Sequence, residues 1–166
     1  PCGDVAGFPI PIPSPSGGTY SIKLGNNQVE AQAERITHQF IVQPADTDFI
    51  YQYAVVLQNP STHVPSDMPY FDFVMLDSLN DTIPCSYQHY ISSPTLPGFK
   101  KSLLSNPTCS GPSNNAIYYK PWTTVGVDLS AYINKTVTII FTNADCRLCG
   151  HMGYSYLDFS CGGASA

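Results

Sequence analysis

The feature that most restricts the fold of this chain is a rhythm of short apolar runs, alternating with a period of two and cut off by turns rich in proline, glycine and asparagine. Arg35–Val42 sets Ile36, His38, Phe40 and Val42 on one face and Thr37, Gln39 and Ile41 on the other, the mark of a half-buried strand. Phe49–Leu57 (FIYQYAVVL) and Tyr70–Leu76 (YFDFVML) are almost continuously aromatic and β-branched. Such runs are expected of strands covered on both faces, and these two should form the centre of the core. Shorter strands are expected at Thr19–Leu24, before the turn Gly25-Asn26-Asn27, at Ser86–Ile91, Ile117–Tyr119 and Trp122–Leu129, and at Thr136–Thr142 and Gly153–Phe159. No segment carries a convincing helical period, so about eight strands with regular turn signals predict an all-β fold. The expected architecture is a two-sheet antiparallel β-sandwich of jelly-roll type.

A length of 166 residues suits one domain with its own core. Residues 19–166 are expected to be that β-sandwich domain. Residues 1–18 are dense in proline and glycine and cannot sustain a backbone ladder, which predicts an extended arm suited to lying on a neighbour. No apolar stretch is long enough to cross a membrane, and the first residues lack the basic start and apolar run of a signal peptide. A soluble chain is therefore expected, with no membrane insertion and with any export signal removed or lying outside it.

Charge narrows the partners. Only 11% of residues are charged, there are seven Lys and Arg, and the net charge is −5. Without a basic stripe there is nothing to release counterions from a nucleic-acid backbone, so nucleic acid and anionic membrane are not expected partners. The 11 tyrosines and abundant hydroxyl and amide groups suit contact with copies of the chain, with sister domains or with polysaccharide. Six cysteines, Cys2, Cys85, Cys109, Cys146, Cys149 and Cys161, are an even set that fits three bridges in an oxidising compartment. Cys85 with Cys109, which enclose a Pro- and Ser-rich loop, is a reasonable pair, although spacing does not fix the pairing.

Asp145-Cys146-Arg147-Leu148-Cys149-Gly150-His151 is the densest group of reactive side chains, and its Cys-x-x-Cys-x-His spacing could give zinc three ligands with Cys161 as a fourth. Oxidised structural sulfur is the stronger expectation, because structural zinc sites usually show two such pairs. No nucleophile elbow or His-Glu-x-x-His helix is present and the histidines at 38, 63, 89 and 151 are scattered, so no catalytic residues and no enzyme are expected. His38, on the apolar face of its strand, reads as a hydrogen-bonded core residue. Asp46, Asp48, Asp145 and Asp158 fall at strand ends, where oxygen ligands could hold a structural calcium ion, the one cofactor left open. Trp122, Tyr118 and Tyr119 could stack on sugar rings, beside a long loop of the kind that often binds ligands.

Four collinear segments, LGNNQVEAQAERITHQFIV, FIYQYAVVLQNPSTHVPSDMPYFDFVMLD, KPWTTVGVDLSAYINKTVTIIFTNADC and GHMGYSYLDFSC, together resemble a domain of large secreted Bacteroidetes proteins that occurs beside PKD-like domains and gliding-motility-associated C-terminal signals. The resemblance implies type IX secretion and display at the outer cell surface, in modular adhesins and fibrous proteins. It also implies a pairing of Cys146 with Cys161. Cys149 stands where the family pattern has glycine, so its thiol would seek an added bridge to Cys109 or Cys2. Secreted proteins of these bacteria carry O-linked glycans at Asp-Ser/Thr followed by a small or apolar residue, which implies Ser78 and Thr82 as acceptors in Asp77-Ser78-Leu79 and Asp81-Thr82-Ile83. The expectation is a non-catalytic extracellular structural or adhesive module that self-associates or packs on sister domains. The alternative is a carbohydrate-binding module with the outline of a lectin-like jelly roll.

Overall fold

A computed structural model describes residues 10, 14–15, 19–102 and 116–161, without the side chains of 160 and 161. Among the described residues nine strands run β1 (Ile22–Gly25), β2 (Ala33–Ile41), β3 (Asp48–Asn59), β4 (Tyr70–Leu76), β5 (Gln88–Ile91), β6 (Lys100–Lys101), β7 (Ala116–Asp128), β8 (Thr136–Ala144) and β9 (Gly153–Cys161). Single 3-10 turns lie at Pro65–Asp67 and Ser130–Tyr132. One sheet has the order β1-β9-β3-β7-β6 and the other β2-β8-β4-β5, and every pairing is antiparallel. With the two-residue β6 set aside, the chain changes sheet at almost every connection, which is jelly-roll winding as expected.

β3 runs through the middle of the five-stranded sheet with β7 on one side and β9 on the other. Its alternate residues Phe49, Tyr51, Tyr53, Val55 and Leu57 enter the main core, where they meet Phe71, Phe73 and Met75 of β4 and Val137, Ile139 and Phe141 of β8. Ala54 and Val56 face the other way, into a second buried cluster with Ile10, Ile117, Tyr119, Met152, Tyr154 and Tyr156. β3 is thus covered on both faces, as its sequence predicts. β4 is not. Phe71, Phe73 and Met75 are buried while Tyr70, Asp72, Val74 and Leu76 are half-exposed, so its near-continuous apolar run fills one face of the core and leaves the other at the surface.

Other expectations are redrawn. Ile117–Tyr119 and Trp122–Leu129 join into the single strand β7, whose register shifts where Pro121 and Trp122 together oppose Ala54. A bulge is where a strand can take a proline, because the missing N–H falls outside the ladder. β1 begins at Ile22, and Tyr20 is 84% exposed. His38 is exposed rather than buried, stacked on Phe40 at 5.9 Å on the edge strand β2; alternation fixes the face of a residue but not its depth. Most of the arm lies outside the described residues. Ile10 is buried in the second cluster and Ser14 donates to Asp158, so those two positions dock on the domain's own β9 side.

The core is an aromatic stack. Tyr51 lies 4.1 Å from Phe73, and Tyr53 lies 5.4 Å from Phe71 at 12° between planes. The hydroxyls of Tyr53 and Tyr90 share a 2.8 Å hydrogen bond, and Tyr90 donates to Gln88. The buried Tyr51 hydroxyl has no partner among the described residues. Burial raises both phenols well above the ordinary tyrosine range, so both stay neutral. A buried hydroxyl contributes only when it is paired. Tyr53→Phe should therefore cost about 1 kcal/mol, while Tyr51→Phe should cost less or stabilise the fold; urea unfolding of the two variants side by side checks the order.

Candidate functional site

Two connections between the sheets meet at one end of the sandwich. β3 leaves the five-stranded sheet at Asn59 and its chain re-enters the other sheet as β4 at Tyr70; β8 leaves the four-stranded sheet at Ala144 and returns as β9 at Gly153. Register brings both connections together, because Leu57 opposes Gly153 and Tyr70 opposes Ala144. Further bonds tie them. Gln58 N donates to Met152 O and Met152 N to the Gln58 side chain, while Arg147 N donates to Asp67 O. Gly153 permits the close approach, since a Cβ there would stand 2.8 Å from Ala144 O.

This convergence gathers His63, Cys146 and His151, whose ligand atoms all lie within 4.8 Å of one another. It is the one group of three or more His, Cys, Asp or Glu ligands found among the described residues. The turn that carries two of them closes on itself: Cys149 N donates to Cys146 O and Cys146 N to His151 O. The Cys146 sulfur is fully buried, accepts from Gly150 N at 3.2 Å and lies 3.2 Å from His151 Nδ1. The rings of His63 and His151 meet edge to face at 4.7 Å, and His63 Nδ1 is buried without a hydrogen-bond partner among the described residues. Two imidazoles and a thiol are a ligand set for zinc or another transition metal. His63 also lines an open cleft of about 550 Å³ with Asn59, Pro60, Pro65, Met68 and Ser92.

Sequence spacing singles out part of this group and misses the rest. Cys146 and His151 belong to it; Cys149 is exposed, and Cys161 is at the wrong end of β9. Gly153 opposes Leu57 and Cys161 opposes Phe49, so Cys161 lies eight strand positions, roughly 26 Å, from the turn that holds Cys146. A disulfide needs Cα atoms within about 7 Å. The pairing of Cys146 with Cys161 is therefore ruled out, as is Cys161 as a fourth zinc ligand. Cys85, Cys146 and Cys149 are free thiols, and Cys2 and Cys109 lie outside the described residues. His63, far upstream in a proline-flanked loop, gave no signal beyond being a histidine.

The remaining expected site residues do not assemble. Asp46 and Asp48 sit at the β2–β3 turn, Asp145 at the end of β8 and Asp158 within β9. The Asp145 carboxylate accepts from Gly153 N and Gln32 N, and that of Asp158 from Ser14, so these groups serve the fold's own polar groups and form no calcium cage among the described residues. Tyr118 and Tyr119 point to opposite faces of β7, Tyr119 is buried, and Trp122 packs half-buried 6.4 Å from Tyr156. The three make no common platform for a sugar. A different set of rings lies together beside β4 and β5: Tyr87 stacks on His89 at 6.1 Å, His89 lies 5.9 Å from Tyr70, and Asp72 pairs with His89. Ser78 and Thr82 are both exposed on the β4–β5 hairpin, whose tip is held by Asp77 accepting from Leu79 N and Asp81 N.

Among known proteins, no family model and no curated sequence matches this chain.

Two neighbouring groups at the site titrate in opposite senses. Burial pushes the Asp145 carboxyl up to about 6, against the hydrogen bonds from Gly153 and Gln32. Burial, and then the neighbouring His63, hold His151 down to about 4. Between pH 3.8 and about 6 the folded chain keeps an Asp145 proton that the unfolded chain has released, so rising pH removes stability. Between about pH 4 and 6.5 the unfolded chain binds a His151 proton that the folded chain refuses, so rising pH adds stability. The two offset each other. In chelating buffer, denaturant unfolding of Asp145→Asn should show stability climbing across this window more steeply than in the parent chain; equal slopes would contradict the assignment.

Proposed function

We propose that this domain is a non-catalytic structural module of an extracellular surface protein or fibre, and that it associates with copies of itself through the open edge of β2. The observation that carries this reading is the edge itself. β2 pairs with β8 over all nine residues without a register shift, and no strand among the described residues pairs with its other side. Natural edges are usually blunted by lysine, proline, bulges or shortness. β2, AERITHQFI, runs nine residues with no lysine, proline or bulge, and Glu34 and Arg35 near its start are its only charges. The other edges are protected: β1 and β5 are four residues long, and β7 carries the Pro121 bulge and is partly covered by β6.

The occupant that fits is a second β2. Antiparallel pairing about a twofold axis at Thr37 sets Arg35 opposite Gln39 and Glu34 opposite Phe40, so no like charges face each other. Two four-stranded sheets then become one of eight strands, with backbone hydrogen bonds supplying the affinity. The low charge of the chain and its resemblance to surface-displayed domains support the same reading, with Ser78 and Thr82 as exposed glycan acceptors. Thr37→Lys places two lysines face to face at the axis and should convert a concentration-dependent dimer into a monomer in analytical ultracentrifugation. A parent chain that sediments as a monomer at its highest soluble concentration would overturn the proposal.

The row Tyr87–His89–Tyr70, with Asp72 beside it, favours a second reading as a carbohydrate-binding face. It predicts that Tyr87→Ala abolishes retention on a polysaccharide resin and leaves sedimentation unchanged, which separates it from the edge-pairing reading.

A further inference from the structure

We propose that His63, Cys146 and His151 form a binding site for a single zinc ion, with the fourth coordination position left to water. The three ligand atoms arrive from two connections that the jelly-roll winding brings to the same end of the sandwich, so the site is built by the fold and not by one local motif. Around tetrahedral zinc, neighbouring N and S ligand atoms stand roughly 3.3–3.8 Å apart. Cys146 Sγ and His151 Nδ1, at 3.2 Å, stand about 0.1 Å short of that range, and closing the group from its 4.8 Å limit requires a shift of about one ångström in the half-buried His63. Two further observations favour a metal over a simple thiol–imidazole hydrogen bond. His63 Nδ1 is buried without a partner among the described residues, which a hydrogen-bonded pair of Cys146 and His151 leaves unexplained. Gly150 N donates to the Cys146 sulfur, an outer contact that fixes where the sulfur points. Asp145, next in sequence, is occupied by Gly153 and Gln32 and contributes no ligand. Because His63 also lines the cleft, the ion would stand one side chain from solvent, with room for a water or a small added ligand.

The ligand set differs from what Cys-x-x-Cys-x-His spacing implies, and that difference makes the test decisive. Cobalt(II) replaces zinc with visible spectral consequences. Titrated into the reduced, metal-stripped chain, it should give a thiolate-to-cobalt charge-transfer band and four-coordinate d–d bands that saturate at one equivalent and vanish when zinc is added. Cys149→Ser should leave that spectrum intact. His63→Ala, in a loop outside every strand, should abolish it while circular dichroism stays native. Zinc should raise the melting temperature of the parent chain and not that of His63→Ala, because only a ligand bound to the folded state shifts the equilibrium. Absence of a charge-transfer band in the parent chain would overturn the proposal. So would a spectrum lost in Cys149→Ser and kept in His63→Ala, and so would saturation by copper(II) under conditions where zinc does not displace cobalt.

Discussion

The double burial of β3 is the constraint on which the rest of the structure depends. A strand with Tyr51, Tyr53, Val55 and Leu57 on one face and Ala54 and Val56 on the other can be stable only between two apolar layers. The first layer is the facing sheet. The second is the cluster that includes Ile10, Tyr119, Met152 and Tyr154, and it explains why Ile10 lies against the domain. Once β3 is central, β7 and β9 must flank it, and β8 and β4 must lie across the core from it.

From that placement follows the meeting of the two connections. β3 ends where β9 begins, and β8 ends where β4 begins, so the loops after β3 and after β8 are forced into contact. Neither loop carries a recognisable site alone. Together they bury a thiol against two imidazoles at one end of the sandwich, while the edge of β2 remains open. The His63, Cys146 and His151 group and the open β2 edge thus lie on one small domain without sharing residues.

Much of this was legible in the residues. Period-two alternation and turn chemistry suffice to locate the strands, because strand pairing rewards the pattern that sequence displays directly. What stayed hidden depends on three-dimensional partners. Pro121 looks like a strand break and is a bulge within β7; His38 alternates with core residues yet lies on an edge strand at the surface; Tyr118 and Tyr119 are adjacent and so point to opposite faces. The site shows the same limit. Cys146 and His151 share a turn and could be read from spacing, whereas His63 joins them only through the pairing of distant strands. Cys149 and Cys161 are the converse, near in pattern and displaced by turn geometry and strand length.

The central claim is that Cys146 is a reduced, buried thiol held beside His151, at the opposite end of β9 from Cys161. Peptide mapping by mass spectrometry after alkylation of the native chain tests it directly. The account predicts that Cys146 stays unmodified in the folded, reagent-treated protein and is alkylated as a free thiol once denaturant is added without reductant. A peptide pair linked through Cys146 and Cys161 would contradict it.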